Sequence, residues 1–499
     1  MELQSVGTWI RRSRKDGKQI TYQWMRFFFT EHVSQDNRSL LELQRRATWI
    51  ALALILQSLN ELTYASVVPL IPYADALIPP ALILSSFFAM WRAIRPASPK
   101  EQAQIALQWP ATWQRIVLIL ALLLTIPGGI LLGRGLAMSL LPPQFSNDGT
   151  SLDTNAAILL LQGRNPYTDS NLAELARRFP IQPNWTTPLR QGQFANRLDY
   201  PSMAELQSVL DTSLKAGHLP EFEARVSYPA LSFLTLVPFV AVGNYNVLPF
   251  YLVSYLLIIA IAWKVVHPPL RPWVVVLSLA NVPMWSSAVG GNLDVFYTLL
   301  LIPAWLLRDR RWLSAILLGL ALASKQPSWF FLPFYLLMVY RHYGLKETFA
   351  RATVAGGLAL AINLPFILWN PQAWLAGVLA PLADPMFPLG VGLISLSTSH
   401  LLPFLPQQIY TVLLGSVLLL MLAWYWRICR EHPEAAMLLA IIPLFFSWRS
   451  LPSYFYCSAF PLFILLTAQG KSQLVSEMPV ARPHKRSGTL DINMSAGTS

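Results

Sequence analysis

Residues 409–426 read IYTVLLGSVLLLMLAWYW, a run of eighteen residues without a charged side chain. A helix of this length rises about 27 Å, close to the ~30 Å thickness of the hydrocarbon core of a bilayer. Comparable apolar runs occur earlier in the chain, at 116–132 and 247–263. Only 12% of the 499 residues are charged, whereas soluble domains contain about 25%. The chain is therefore predicted to be an all-α, polytopic membrane protein.

The apolar runs and the basic residues between them predict about twelve crossings, with both termini in the cytoplasm. Lys and Arg concentrate in the cytoplasmic segments of membrane proteins. In this topology 27 of the 37 Lys and Arg residues are cytoplasmic, and 7 of the others lie in a long outer loop, 141–226. The predicted crossings are 48–69, 76–92, 115–136, 247–263, 272–289, 294–307, 312–324, 328–340, 352–369, 409–426, 435–447 and 453–468.

Composition divides the chain into four parts. Residues 1–47 are predicted to be a basic cytoplasmic segment, and 48–114 an additional pair of crossings with a polar linker. The core, 115–468, contains the other crossings and the outer loop, which is predicted to carry short helices. The tail, 469–499, is predicted to be cytoplasmic and disordered. No internal repeat is visible, although many transporters consist of pseudo-symmetric halves.

The net charge of +12 is explained by cytoplasmic Lys and Arg, so no nucleic-acid partner is predicted. The 7 histidines and 2 cysteines do not show the spacing of metal ligands. A divalent metal ion could assist a reaction here, but no ligand cluster requires one. No cofactor is therefore predicted with certainty.

Three basic residues are predicted at the outer ends of short apolar helices, where the charge rule disfavours them: Arg134, Lys325 and Arg449. Charged residues in such places are candidates for function. A lysine or arginine there can also anchor the helix at the interface. Asp294 and His400 are further candidates on the predicted outer side, with a polar helix cap and an ordinary loop histidine as the respective alternatives.

The predicted outer loop begins with Asn147-Asp148-Gly149. Residues 153–162 are predicted to form a short helix that ends at Gly163, followed by an Asn-Pro-Tyr turn at 165–167. This places Asp148 at the junction between a membrane helix and a loop helix. Asp153 has a structural explanation, because a carboxylate near a helix start interacts favourably with the helix dipole.

The motifs resemble, in the same order, those of GT-C glycosyltransferases. The resemblance is greatest to the bacterial branch around glycosyltransferase family 87, which includes polyprenyl-phosphate-mannose-dependent enzymes. It covers roughly 115–465 and differs from the family at Ala230, at Leu293 and in the additional N-terminal helices. The segments that carry it are 147–149 (NDG), 163–167 (GRNPY), 228–230 (YPA), 290–294 (GGNLD) and 319–327 (GLALASKQP).

The resemblance implies a GT-C-like bundle in a bacterial inner membrane, with its active site on the non-cytoplasmic side. It implies transfer of a single sugar, mannose or another hexose or pentose, from a polyprenyl-phosphate donor to a glycan, lipid or protein acceptor, with inversion. The position that matches the family's catalytic base is Asp148, with Asp153 as the rival.

The remaining candidate residues have two predicted roles. Lys325, Arg449 and Gln326 would bind the donor phosphate, since Arg grips phosphate bidentately and Lys supplies a compact charge. The candidates to line the substrate site are Asp294, Asn292, Tyr228, Tyr167 and His400. Three other functions stay open: a lipid or sugar transporter or flippase, a non-catalytic scaffold, and a ligase that uses a lipid-linked oligosaccharide.

Overall fold

A computed structural model of the protein describes residues 28–29, 38–66, 74–98, 111–142, 145, 147–179, 182–216 and 220–468. These residues are mostly helical, which confirms the predicted all-α class. Most of the predicted N-terminal segment and the whole predicted tail, 469–499, lie outside them.

The first part of the chain forms long helices followed by the short helices of the predicted outer loop, as expected. The long helices are α1 (Arg38–Ser66), α2 (Ala74–Ile94) and α3 (Thr112–Met138). The short ones are α4 (Asp148–Leu161), α5 (Pro166–Asp169), α6 (Leu172–Arg178) and α7 (Met203–Ala216), with 3₁₀ turns at Pro183–Trp185 and Gly192–Phe194.

The second part of the chain alternates long helices with short, broken ones. Up to residue 322 these are α8 (Leu231–Leu234), α9 (Val237–Ala241), α10 (Leu248–Val265), α11 (Arg271–Ala280), α12 (Val282–Val289), α13 (Asp294–Leu306) and α14 (Arg311–Leu322). They are followed by α15 (Phe331–Tyr343), α16 (Leu345–Trp369), α17 (Pro371–Ala383), α18 (Ser395–Thr398), α19 (Gln407–Ile428), α20 (Ala436–Leu439), α21 (Ser453–Tyr456) and α22 (Ala459–Thr467). The 3₁₀ turns are Pro268–Leu270, Gln326–Phe330, Pro433–Ala435 and Ile442–Phe446.

Five described helices are long and apolar enough to cross a membrane. They are Ala76–Ile94, Thr112–Met138, Leu248–Val265, Leu345–Trp369 and Gln407–Ile428. The number rises to six if a bent pair, Pro268–Ala280 and Val282–Val289, is counted as one span. The predicted membrane character is confirmed, whereas the predicted number of about twelve crossings is not.

The bent pair lies where a single crossing, 272–289, is predicted. Its two helices differ in direction by 55°. Pro283 is in the first turn of α12, and proline cannot donate the backbone hydrogen bond that would continue α11. Asn281 begins the second helix, with its side chain accepting a hydrogen bond from the backbone N–H of Met284 at 3.4 Å. The predicted crossing 272–289 therefore contains a break at Asn281.

The N-terminal helices pack into the same apolar core as the rest of the bundle. Buried polar side chains of α1 also bind the later helices. Ser58 Oγ donates to the Ala280 carbonyl at 3.0 Å, and Asn60 Nδ2 donates to the Tyr456 hydroxyl at 2.7 Å. The predicted additional pair is thus integrated with the core through hydrogen bonds as well as apolar packing.

Three extended segments connect the predicted outer loop to the core. Strands β1 (Leu389–Gly390) and β2 (Arg449–Ser450) pair in parallel, with Leu389 opposite Arg449. Gly390 has a φ of +142°, and a Cβ there would lie 2.2 Å from the Ser450 carbonyl oxygen. Only glycine fits this position. Leu189 of the loop forms an antiparallel bridge with Met386, just before β1.

A pair of carboxyl groups lies beside this connection. Glu223 is 2% exposed and Asp384 is 13% exposed. Arg225 Nη2 donates to both carboxylate oxygens of Asp384 at 3.0 Å. Burial, reinforced by the neighbouring Asp384 carboxylate, which favours the protonated form, raises the pKa of Glu223 from 4.5 to about 8. Glu223 therefore keeps a proton at neutral pH in the folded protein.

We expect this proton to make stability depend on pH. Folding raises the pKa of Glu223, so the protonated side chain favours the folded state. Its contribution to the free energy of unfolding is complete below about pH 4.5 and is lost as the pH rises through about 8. The unfolding temperature of the purified protein should therefore fall between pH 7 and 9. Glu223→Gln, which mimics the protonated form, should remove that fall.

Glu205→Gln is the matched control for this measurement. Glu205 is exposed, and its hydrogen bond with Arg197 lowers its pKa to about 2. It does not titrate between pH 7 and 9, so its variant should keep the pH dependence of the natural protein. Equal slopes for Glu223→Gln and the natural protein would contradict the assignment.

Candidate functional site

The NDG motif begins helix α4. Asn147 is its N-cap, and Asn147 Oδ1 accepts a hydrogen bond from the Thr150 backbone N–H at 2.8 Å. Asp148 is the first residue of the helix, and its side chain lies outside the described part of the structure. The predicted start at 153 is wrong, because asparagine is a strong N-cap and starts the helix earlier. Asp153 therefore lies in the second turn and does not act on the helix dipole as predicted.

The first turn of helix α4 is hydrogen-bonded to the GGNLD motif. Asn147 Nδ2 donates to the Gly290 carbonyl at 2.7 Å, and the Thr150 hydroxyl donates to the Gly291 carbonyl. Gly291 has a φ of +71°, in the left-handed region that favours glycine. Two motifs that are more than 130 residues apart in the chain therefore meet through direct hydrogen bonds.

The YPA motif contacts the same turn of α4. A Cβ at Gly149 would lie 2.9 Å from the Tyr228 ring and 3.2 Å from Asn147 Oδ1. Residue 149 must therefore be very small for the tyrosine to pack here. The hydroxyl of Tyr167, in the GRNPY motif, donates to the Tyr228 carbonyl at 2.8 Å. The structure thus brings together four of the motifs around Tyr228 and the start of α4.

Lys325 supplies the charge at this meeting point. Its Nζ donates to Asp294 Oδ2 at 2.9 Å and to Asn292 Oδ1 at 3.0 Å. It also lies 5.1 Å from the centre of the Tyr228 ring, a cation–π contact. Asp294 is fully buried and Lys325 is 6% exposed. We call these four residues the Lys325 centre.

The Lys325 centre differs from the arrangement predicted from sequence. Lys325 is neither a surface lysine nor an isolated cation, because Asp294 balances its charge. Asp294 Oδ1 is buried and has no hydrogen-bond partner among the described residues. A buried carboxylate oxygen without a donor is costly. Asp294 Oδ1 is therefore the atom of the centre that can still accept a hydrogen bond. Asp294 and Asn292, predicted to line the substrate site, directly hold the lysine.

Gln326 follows Lys325 but faces the backbone of other segments. Its Nε2 donates to the Ser227 carbonyl and to the Val378 carbonyl, the latter at 2.9 Å. These bonds join the turn after α14 to the segment before Tyr228 and to α17. In this structure the amide nitrogen of Gln326 therefore holds the residue before Tyr228 with one hydrogen bond and α17 with the other.

Asp153, the other candidate for the catalytic base, lies in the second turn of α4. It is 1% exposed and accepts a hydrogen bond from the Ser232 hydroxyl at 2.9 Å. Ser232 belongs to the short helix α8, which follows the YPA motif. Asp153 therefore joins α4 to α8 in the protein interior, a role that the sequence did not indicate.

His400 and Arg449 make no described hydrogen bond or ion pair with the Lys325 centre. The His400 side chain is 68% exposed and lies 3.4 Å from Asp199 Oδ1. It has no described contact with the other predicted site residues. Arg449 lies in β2, and its Nη1 is buried without a hydrogen-bond partner among the described residues. A free guanidinium N–H of this kind is suited to an anion.

Sequence reasoning missed the residues that hold the motifs together. Asn147 as N-cap could have been recognised, because asparagine directly before a helix is a known start signal. The hydrogen bonds of Thr150 with Gly291 and of Ser232 with Asp153 carry no signal in the sequence, since they join distant segments. The described residues include no group of three or more His, Cys, Asp or Glu side chains that could hold a metal ion.

One segment of the chain matches the model of a known protein family. Residues 227–450 match the model of glycosyltransferase family 87. The matched range includes Tyr228, the Lys325 centre and Arg449, and begins after α4. No curated protein and no solved structure matches the chain. The match confirms the resemblance found in the motifs, and it shows that residues 227–450 of this chain are similar to glycosyltransferase family 87.

Proposed function

We propose that this protein transfers a single sugar from a polyprenyl-phosphate donor to a glycan, lipid or protein acceptor, with inversion at the anomeric carbon. The family match supports a glycosyltransferase, and the membrane-type helices suit a lipid-linked donor. The observation that carries the proposal is the meeting of Asn147, Gly149 and Thr150 with Tyr228 and the Gly290-Gly291 turn. It brings the start of α4, with Asp148, to the Lys325 centre.

Asp148 is the proposed general base. An acceptor hydroxyl must lose its proton as it attacks the anomeric carbon, and one carboxylate can accept that proton. The residues on both sides of Asp148 are held against other motifs, so its backbone has a defined position relative to the Lys325 centre. A single displacement by the acceptor inverts the configuration of the sugar. Asp153, whose carboxylate is buried and bound by Ser232, is less suited to this step.

Arg449 and Lys325 are the proposed cations for the donor phosphate, with different contributions. Arg449 has a free guanidinium N–H in the described structure, so it can bind a phosphate oxygen directly. Lys325 is held by Asp294 and Asn292, which fixes its charge in place but reduces its net attraction for an anion. Pre-positioned charge of this kind stabilises the negative charge that develops on the leaving phosphate.

The direct test is incubation of the purified protein with a panel of polyprenyl-phosphate sugars and candidate acceptors. Release of polyprenyl phosphate together with a new glycosidic product is the expected result. Product formation only from an oligosaccharide linked to a lipid diphosphate would instead indicate a ligase. Movement of the lipid-linked sugar across vesicles without any bond breakage would indicate a flippase.

The proposed location of the site is the non-cytoplasmic face of a bacterial inner membrane. Gln193, in the outer loop, and Arg310, between α13 and α14, are both exposed. Single cysteines at these positions should behave oppositely with an impermeant thiol reagent in intact cells, with residue 193 labelled and residue 310 protected. Labelling of residue 310 alone would reverse the topology and place the site in the cytoplasm.

A further inference from the structure

Arg190 of the predicted outer loop has a buried guanidinium N–H without a hydrogen-bond partner among the described residues, and its guanidinium contacts Trp448, the residue before Arg449. Its backbone N–H donates to the Pro385 carbonyl at 2.8 Å, which places it beside the segment that leads into β1. Its guanidinium carbon lies 5.6 Å from the centre of the Trp448 ring. Trp448 directly precedes Arg449 in the chain. The two arginines therefore lie on neighbouring extended segments, one from the loop and one from the core.

Both arginines contain a buried nitrogen without a partner. Arg190 Nε and Arg449 Nη1 are each buried and make no hydrogen bond with a described residue. The nearby carboxylate of Asp384 is already bound through both oxygens by Arg225. Buried donors without acceptors are unfavourable, and an anion with several oxygens can satisfy two guanidinium groups at once.

We propose that Arg190 and Arg449 together bind the phosphate group of the polyprenyl-phosphate donor. This inference rests on the proposed function and adds to it a residue of the long loop, outside the segment that matches the family. Trp448 fixes the orientation of Arg190 through the cation–π contact. The indole is itself held, because its Nε1 donates to the Met386 carbonyl at 3.1 Å. The loop would then close over the phosphate while the lipid tail stays in the membrane.

Arg190→Ala is the test variant, and Arg197→Ala is its matched control. Arg197 lies in the same loop and also contacts a ring, with its guanidinium carbon 5.9 Å from the centre of Phe194. Its guanidinium, however, is already bound to Glu205 at 2.8 Å. Arg190→Ala should raise the KM for the donor by roughly 10- to 100-fold, as for loss of a charge-assisted hydrogen bond. The KM for the acceptor and the kcat should change little, and Arg197→Ala should leave all three near normal.

A double variant tests whether the two arginines bind the same group. If they share one phosphate, the effects of Arg190→Ala and Arg449→Ala on donor KM should be clearly non-additive. Arg190→Lys should recover part of the affinity, since it keeps the charge but not the planar fork. A raised KM for the acceptor alone, or an unchanged donor KM in Arg190→Ala, would overturn the proposal.

Binding of polyprenyl phosphate itself separates this proposal from the proposed function. Short-chain polyprenyl phosphate and inorganic phosphate can be titrated into the natural protein and the Arg190→Ala variant without any turnover. Weaker binding of the lipid phosphate by the variant is expected even if no sugar in the panel is transferred. Equal binding of both phosphates by the two proteins would exclude the site, whereas a failed transfer assay alone would contradict only the proposed reaction.

Discussion

Asp148→Asn is expected to lower turnover with the correct donor by a factor of ~10²–10⁴, the usual contribution of a general base. Asparagine keeps the size and part of the hydrogen bonding of aspartate but cannot accept the acceptor's proton at neutral pH. Because Asn147 and Thr150 provide the contacts that fasten α4, protein level and donor affinity should stay near normal. Steady-state rates and donor binding by the purified variant measure the two effects separately.

Asp148→Glu and Asp153→Asn complete this experiment. Asp148→Glu should recover little activity, because the additional methylene misplaces the carboxylate and catalysis depends steeply on geometry. Asp153→Asn should cost stability, by ~1–3 kcal/mol, because it disturbs a buried hydrogen bond with Ser232. It should leave the rate per folded molecule largely intact. An inactive Asp153→Asn beside an active Asp148→Asn would show that the base is Asp153.

The sequence predicted the long, uniformly apolar helices well. The predicted crossing 409–426 lies within α19 (Gln407–Ile428), and 115–136 lies within α3 (Thr112–Met138). Both helices are apolar on all sides, so their length alone indicates a membrane span. The predicted crossing 272–289 is broken, because Pro283 and the cap at Asn281 divide an equally apolar stretch. A hydropathy average over the stretch does not reveal such a break, because the residues on both sides of it are apolar.

The candidate site was predicted as a set of motifs but not as a structure. The order of the motifs along the chain indicated that Tyr228, Lys325 and Asp294 belong together, and the structure places them in contact. The sequence could not show that Asp294 neutralises Lys325, since the pairing depends on how α13 and the turn after α14 pack. It also gave no sign of Arg190, whose relation to Arg449 arises from the extended segments around β1 and β2.

Asp294→Ala is expected to give the largest loss of stability among the variants considered. It leaves the Lys325 ammonium buried with only the Asn292 side chain as a described hydrogen-bond acceptor. Removal of one partner of a buried ion pair typically costs about 3–5 kcal/mol. Thr298→Val is the matched control, because Thr298 donates a neutral buried hydrogen bond to the Asp294 carbonyl and should cost only ~0.5–1.5 kcal/mol. Unfolding of the purified variants in detergent, followed by helical signal, measures both.

Replacing both charges separates the structural role of the Lys325 centre from its proposed role in catalysis. Asp294→Leu with Lys325→Met removes the ion pair without leaving either charge alone, and such replacements are often neutral or stabilising. We therefore expect the double variant to have an unfolding free energy close to that of the natural protein. Its transfer rate should stay low, because Lys325, one of the proposed cations for the leaving phosphate, is absent. Full activity in a stable double variant would show that the pair only holds α13 against the turn after α14. The catalytic cations would then have to be found among the arginines around Trp448.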